Sequence, residues 1–180
     1  MSTGYSGQAI QSVLNSIQGF CKFLSANYTG ATGGHQSGIL ISKSAVEMLF
    51  TKQQLDQEGI PKRTVKIEWQ DDLVTESRFT YYESKNELRV TRFGSGFPFL
   101  HPDQTGALFV FTKQSEDDYS GYFLETEEEI EEFLNAFGIS PTETNMLIDT
   151  GKVQPETQEK IAIQQFIAGL SEEFPTSDIM

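Results

Sequence analysis

The chain has little of what holds small secreted proteins and metalloproteins together. Its 180 residues include one cysteine, Cys21, which excludes an internal disulfide and a cysteine-based zinc site. No apolar run approaches the roughly 18 residues of a membrane-spanning helix, and no basic segment followed by an apolar one opens the chain. The sequence therefore predicts no signal peptide and no membrane partner, and it favours the cytoplasm.

Positive charge is also scarce, but only in one part of the chain. The net charge is −13, yet residues 1–100 hold ten Lys and Arg against nine Asp and Glu. Residues 101–180 hold three against seventeen. Phosphate binding needs local positive charge rather than a basic protein overall, so the first hundred residues could still contact nucleic acid. An acidic segment such as TEEEIEEFLNAF is typical of a solvated helix face.

The apolar pattern predicts one α+β domain. Residues 8–24 have the apolar spacing of an amphipathic helix, and from Arg63 the period changes to two, as in a half-buried strand. Successive strands have no crossover helices between them, so we expect a barrel-like fold of antiparallel strands with flanking helices. The further predicted strands are GILI, ESRFTYYE, LRVTR, GALFVFTK and YSGYFLET, with SKNE and SEDD as turns.

Capping signals set the predicted helix boundaries. Ser44 with Glu47, and Thr126 with Glu129, have the spacing of capping boxes, and Gly138 ends the second helix. We expect a domain over residues 1–170, with a core of about 8–138 and an acidic helical extension of about 139–170 that includes a helix from Pro155. Residues 171–180 are expected to begin a linker.

One candidate binding segment is the polar, glycine-rich loop from Ser25 to Gln36. Glycines allow the backbone to approach a ligand, hydroxyls contact phosphates, and Asn, Gln and His can contact base edges. The loop lacks the lysine of a GxxxxGK[ST] phosphate loop and does not match GxGxxG. Composition alone favours an ordinary surface loop.

A second candidate is the basic hairpin from Ser84 to Gly96. Arg89 and Thr91 are two residues apart on a predicted strand, so both side chains should project from the same face. A β-ribbon fits the DNA major groove, where arginine pairs with two acceptors of guanine. The same alternation is typical of a solvated strand face, which remains the other interpretation.

Two other function classes are open. Glu83 and Lys85 form an E-x-K pattern with Asp71 and Asp72 upstream, and a metal-dependent nuclease needs such carboxylates for Mg²⁺. The pattern is short and falls in a predicted turn. Alternatively, the acidic C-terminal part could be a protein-interaction module. His35 and His101 are the only histidines, and no metal cluster has ligand spacing.

Two blocks of the sequence resemble a known family. LSANYTGATGGHQSGILI resembles the signature of the N-terminal effector domain of EcoRII-like type II restriction endonucleases. TRFGSG followed by DQTGALFVF resembles the second block of that domain, and EEFPTSDIM is similar to its lead-in to a nuclease domain. Tyr28 stands where the family pattern has an acidic residue.

The resemblance implies a DNA-binding pseudobarrel, the fold of plant B3 domains, in a prokaryotic protein. Two arms would grip the major groove of 5′-CCWGG, and bound DNA would regulate cleavage allosterically. Mg²⁺-dependent catalysis would reside in a separate C-terminal nuclease domain, so this domain would be no enzyme and need no cofactor. Its expected partners are double-stranded DNA and that nuclease domain.

The resemblance and the residue types together give the predicted DNA contacts. Arg89 and Arg92 are expected at guanines, Asn27 and His35 at base edges, and Lys22 and Lys85 at phosphates. The full predicted set is Lys22, Ser25, Asn27, Thr29, Thr32, His35 and Gln36 in the N-arm region, and Lys85, Arg89, Thr91, Arg92 and Ser95 in the C-arm.

Overall fold

The computed structural model describes residues 4–25, 38–94, 97–99 and 105–152, together with Ile163 and Phe166. The helices are α1 (Ser6–Asn15), α2 (Val46–Leu49), α3 (Lys52–Leu55) and α4 (Glu127–Phe137). The strands are β1 (Gln18–Phe23), β2 (Ile39–Ile41), β3 (Lys62–Trp69), β4 (Val74–Tyr82), β5 (Glu87–Thr91), β6 (Leu108–Lys113), β7 (Asp118–Leu124) and β8 (Met146–Leu147). No helix of the described residues is long and apolar enough to cross a membrane.

All the described strands belong to one mixed sheet. Its eight strands have the order β2-β5-β4-β3-β7-β6-β1-β8. Neighbours are antiparallel except for β3 and β7, which pair in parallel. This pair corrects the expectation of antiparallel strands alone. A parallel pair needs a long crossover connection. Here strands β4, β5 and β6 form that connection, whereas the sequence analysis considered only helical crossovers.

The sheet curls around a single aromatic core. In a flat sheet of this order, β2 and β1 would lie about 29 Å apart at ~4.8 Å per strand. Instead, buried side chains from both strands pack in one cluster with the strands between them, so the sheet forms a half-barrel. This confirms the predicted α+β pseudobarrel with flanking helices. The cluster includes Phe20, Ile39, Ile67, Phe79, Val90, Phe109 and Tyr119.

Two helices cover part of the outer surface of the sheet. Val13 of α1 and Phe133 of α4 pack with Cys21 of β1 and Val110 of β6 in a second buried cluster. Burial raises the pKa of the Cys21 thiol to about 12, so the thiol form is favoured at neutral pH. The outward side chains of β3 and of the first half of β4 are exposed instead. One region of the sheet is thus left open to solvent.

The predicted helix over residues 8–24 is wrong beyond Asn15. Residues Gln18–Phe23 form β1, which is hydrogen-bonded on both sides by β6 and β8. Phe20 packs in the inner cluster and Cys21 in the outer one, so an apolar run covered on both faces resembles a buried helical stripe. Ile17, predicted to be part of that stripe, is 66% exposed.

The capping predictions have different outcomes. The box of Thr126 and Glu129 is present, and Gly138 ends α4 with a φ of 63°, as predicted. The predicted Ser44 box is wrong: Ser44 lies in a 3-10 turn, Lys43–Ala45, and its backbone N–H donates to Ser42 Oγ. A capping box that the sequence analysis missed begins α3, at Thr51.

The predicted helical extension over residues 139–170 needs correction at its start. Met146–Leu147 form β8, which pairs with β1 and so carries the sheet past the predicted core end, and Thr150–Lys152 form a 3-10 turn. Residues 153–170 lie outside the described residues except for Ile163 and Phe166, both helical and exposed. The predicted linker, residues 171–180, lies outside them entirely.

A buried lysine bridges the open side of the half-barrel. Lys22 on β1 is 8% exposed, and its Nζ donates to the carbonyl oxygen of Leu40 on β2 at 2.7 Å. Loss of hydration lowers the pKa of Lys22 from 10.5 to about 8. Burial disfavours the charged ammonium form, and the hydrogen bond to Leu40 offsets only part of this loss of hydration.

Replacing Lys22 with methionine should remove a specific pH dependence of stability. The unfolded chain holds the Lys22 proton up to a pH of about 10.5 and the folded chain only to about 8. Since the unfolded state binds more protons in this window, the folded state gains stability as pH rises through it. We expect the unfolding free energy of the wild type to rise relative to Lys22→Met by on the order of 1–2 kcal/mol between about pH 7.5 and 9.5.

Urea unfolding of both proteins across that range measures the difference. The comparison cancels the other groups that titrate there, including the Cys21 thiol, because both proteins contain them. Parallel pH profiles for the two proteins would contradict a buried, partly desolvated ammonium group at Lys22.

Candidate nucleic-acid interface

The described residues include the two ends of the predicted N-arm, where it joins the sheet, but not its tip. Ser25 is described and exposed. Asn27, Thr29, Thr32, His35 and Gln36 lie outside the described residues, as does Ser95 of the C-arm. Their predicted DNA contacts stay predictions.

Both ends of the N-arm are attached to the sheet. At its start, Leu24 N–H donates to Ala107 at 2.9 Å, and Gly106 N–H donates to Leu24 at 3.0 Å. At its end, Ile39 pairs with Val90 of β5. The residue before Ile39 is Gly38, with a φ of 89°, and a Cβ there would collide with the carbonyl oxygen of Val90. Only glycine fits this junction.

Strand β5 presents two of the predicted C-arm residues on one face. Leu88 and Val90 are fully buried, whereas Arg89 and Thr91 alternate with them and are partly exposed. The predicted common orientation of Arg89 and Thr91 is confirmed. However, β5 lies between β2 and β4 within the sheet, so it is not part of a free two-stranded ribbon that could enter a groove alone.

Neighbouring strands add cations that the sequence analysis missed. Cross-strand register places Arg78 of β4 opposite Thr91, and Thr80 opposite Arg89. Lys62 of β3 is in turn opposite Thr80. The outward surface formed by Lys62, Arg78, Arg89 and Thr91 is called the cationic face below. Alternation along β3 and β4 suggests which residues point outward, but only the register shows that they are neighbours.

Arg89 is oriented by two neighbours on this surface. Its Nη2 donates to Glu87 Oε2 at 3.0 Å, and its Nε donates to the same oxygen at 3.3 Å. Its guanidinium carbon lies 5.9 Å from the centre of the Tyr82 ring, and Lys85 Nζ lies at the same distance from that ring. The carboxylate and the ring restrict the directions in which Arg89 can donate to a ligand.

The predicted C-arm runs the length of the cationic face. Lys85 lies in the 3-10 turn Glu83–Lys85 before β5, and Arg92 follows the other end of the strand. At ~3.3 Å per strand residue these two positions are about 20 Å apart. Arg92 lies at the end where the N-arm joins β5, and Lys85 lies at the opposite end. The C-arm is therefore not the compact hairpin that the sequence suggested.

Lys22 occupies a different place from the one predicted. The prediction puts it on a phosphate, but its amine is buried and bonded to Leu40, which is paired with Arg89 across β2 and β5. Lys22 thus supports the strand beside Arg89 from inside the half-barrel. We no longer propose it as a phosphate contact.

The residues of the nuclease alternative are not brought together. Asp71 and Asp72 precede β4, whereas Glu83 and Lys85 follow it, and the nine-residue strand between them spans roughly 25–30 Å. Asp71 accepts a hydrogen bond from the Tyr5 hydroxyl. Within the described ranges, no group of three or more His, Cys, Asp or Glu side chains could hold a metal ion. These four residues therefore do not form one Mg²⁺ site.

The arrangement is suited to contact with a polyanion. A strand surface with lysine and arginine side chains can contact phosphates, and its arginines can reach base edges. Proteins that contact DNA through β-strands form one class with this geometry.

Comparisons with known proteins identify the family. Residues 13–146 match the family model described as restriction endonuclease EcoRII, N-terminal. The type II restriction enzyme EcoRII of Escherichia coli is 32% identical over 162 residues, which cover 84% of this chain and 38% of that enzyme. The chain thus spans about two-fifths of its relative's length. The chain belongs to the family of EcoRII N-terminal domains, which confirms the resemblance seen in its sequence.

A solved structure is also similar. The UbaLAI restriction endonuclease B3 domain, crystallised with cognate DNA, matches 80% of this chain and 94% of its own chain. The sequence identity is 16% and the TM-score is 0.49.

Replacing Gly38 with alanine should destabilise the junction of the N-arm with β5. Gly59 is a matched control, because its φ of 86° is close to the 89° of Gly38 but nothing lies near the position of an added Cβ. Both variants lose the freedom of glycine at positive φ, and only Gly38→Ala adds a collision with backbone. We expect Gly38→Ala to lower the unfolding free energy by about 2 kcal/mol more than Gly59→Ala does. Equal losses in urea unfolding would show that the junction tolerates a side chain.

Proposed function

We propose that this domain recognises a specific double-stranded DNA sequence, 5′-CCWGG, and serves as the recognition and effector domain of a type II restriction endonuclease. The observation that carries the proposal is the cationic face, with the N-arm joining the sheet at one end of β5 and the turn holding Lys85 at the other. Membership of the EcoRII N-terminal family supports the same function.

The charge distribution supports binding on this side of the molecule. The cations Lys62, Arg78 and Arg89 project from the uncovered part of the sheet. The exposed carboxylates Glu127, Glu128 and Glu131 belong to α4, which packs on another part of it. Glu68, Glu76 and Glu87 partly balance the cations of the open surface, whereas α4 carries no cation, so a duplex is repelled less by the open surface than by α4.

Within this interface the arginines and the lysine have different roles. Arg89 and Arg92 are proposed to read guanines, because guanidinium groups match the paired acceptors of guanine in the major groove. Lys85 is proposed to contact phosphate, and Lys62 and Arg78 extend the same electrostatic surface. The N-arm residues Ser25, Asn27, Thr29, Thr32, His35 and Gln36 are proposed to approach the duplex from the end of β5 where Arg92 lies, with Thr91 and Ser95 as polar contacts of the C-arm.

In the whole protein, cleavage is proposed to belong to a separate C-terminal nuclease domain that uses Mg²⁺. The present domain would contribute binding and regulation and no catalytic group. The wide separation of Asp71 and Asp72 from Glu83 and Lys85 supports this division. Double-stranded DNA and the nuclease domain are the proposed partners.

Single arginine substitutions test the proposed base contacts. Arg89→Ala should weaken binding to a CCWGG duplex by about 1–3 kcal/mol and weaken binding to a scrambled duplex much less, because a guanine contact is sequence-specific. Arg92→Ala should behave in the same way. Lys52→Ala is the control, since Lys52 is an exposed cation on α3 and is not on a strand of the cationic face.

Fluorescence anisotropy at about 0.1 M salt without Mg²⁺ measures all four proteins on both duplexes. An equal loss on the two duplexes would assign the arginine to phosphate contacts instead. A wild-type domain that binds neither duplex would contradict the proposed function itself.

A further inference from the structure

We propose that a buried chain of three side chains, Trp69, Thr75 and Ser77, positions Arg92 at the end of the cationic face. Ser77 is the positioning residue, because its hydroxyl holds the backbone of Arg92. The inference rests on the proposed function, since it explains how one DNA contact is oriented.

The three side chains form a continuous hydrogen-bonded chain. Trp69 Nε1 donates to Thr75 Oγ1 at 2.9 Å, and Thr75 Oγ1 lies 2.8 Å from Ser77 Oγ. Ser77 Oγ then donates to the carbonyl oxygen of Arg92 at 3.0 Å. The chain crosses from the end of β3, through β4, to the residue that follows β5.

Proton counting gives this chain one direction. The indole N–H can only donate, and each hydroxyl has one proton to give. Ser77 uses its proton on the Arg92 carbonyl, so Thr75 must donate to Ser77 and accept from Trp69. Every polar atom of the chain is then satisfied, and aligned hydrogen bonds of this kind strengthen one another where water is excluded. Trp69 and Thr75 are 3% and 9% exposed, and Ser77 is fully buried.

Arg92 needs such support because its backbone is in the left-handed region. Its φ is 67°, a conformation that residues with a side chain rarely adopt without other contacts to hold it. The next residue, Phe93, packs edge-on against Trp69, with ring centres 5.7 Å apart. Trp69 is therefore the first donor of the hydrogen-bonded chain and also packs against the segment that the chain holds.

Backbone control matters more for Arg92 than for Arg89. The Arg89 guanidinium is oriented by Glu87 and the Tyr82 ring. Arg92 is exposed, and its guanidinium makes no ion pair with another residue in the described part of the chain. The direction of its side chain is then set mainly by its backbone, which Ser77 holds through the carbonyl.

A double-mutant cycle on DNA binding tests the proposal. Ser77→Ala should weaken binding to a CCWGG duplex roughly fivefold, the effect of losing one hydrogen bond. In an Arg92→Ala background the same change should have almost no further effect, because the residue through which Ser77 acts is gone. Additive losses, or no loss from Ser77→Ala alone, would overturn the proposal.

Two comparisons separate positioning from a general loss of stability. Ser12→Ala is a matched control, because Ser12 Oγ bonds Thr112 and Gln114 beneath α1, remote from Arg92 in the fold. It should leave DNA affinity unchanged. Thr75→Ser keeps the hydroxyl and should preserve affinity, whereas Thr75→Val should weaken binding by less than Ser77→Ala, because Ser77 can still donate to the Arg92 carbonyl.

A measurement without DNA keeps this inference distinct from the proposed function. Amide hydrogen exchange at residues 92–94 should be faster in Ser77→Ala than in the wild type or in Ser12→Ala, because the Arg92 carbonyl is released. Trp69 is the only tryptophan of the protein, so its fluorescence emission reports on the same hydrogen-bonded side chains. Unchanged exchange would overturn the positioning role even if DNA binds. Faster exchange in a domain that binds neither duplex would support the backbone role but contradict the proposed function and, with it, a role in DNA contact.

Discussion

The curl of the sheet around one aromatic core is the constraint on which the rest of the structure depends. Trp69 stacks on Phe123 with ring centres 5.4 Å apart, and Phe79 packs edge-on against Tyr119 at 4.8 Å. The eight-stranded sheet buries these rings by closing over them, which brings β1 towards β2. Helices α1 and α4 then cover one part of the outer surface, and the remaining part becomes the cationic face.

The interface and the core share strand β5. Strand β5 inserts Leu88 and Val90 into the core and presents Arg89 and Thr91 on the other side. Inside the half-barrel, Lys22 bonds the strand that pairs with Arg89. The positions of the proposed DNA contacts are thus set by packing and by buried hydrogen bonds, so changes to the interior should alter binding without touching the duplex.

The sequence pattern predicted strands β3 to β7 and the Thr126 start of α4. It missed the start of α3, although the capping box at Thr51 is also complete. It failed at β1, because a strand covered on both faces has no alternation, and it missed Arg78 and Lys62, because register depends on contacts distant in sequence. The N-arm was recognised only through its resemblance to a family. Its composition alone favours an ordinary surface loop.

The most direct test of the account is to map where a CCWGG duplex protects the domain. Amide exchange by mass spectrometry, with and without DNA, would be compared for β4 and β5 on one side and for α1 and α4 on the other. We expect added protection at residues 83–94 and at the N-arm, and no change in the two helices. Protection confined to the helices, with none in β5, would contradict the assignment of the cationic face as the DNA-binding surface.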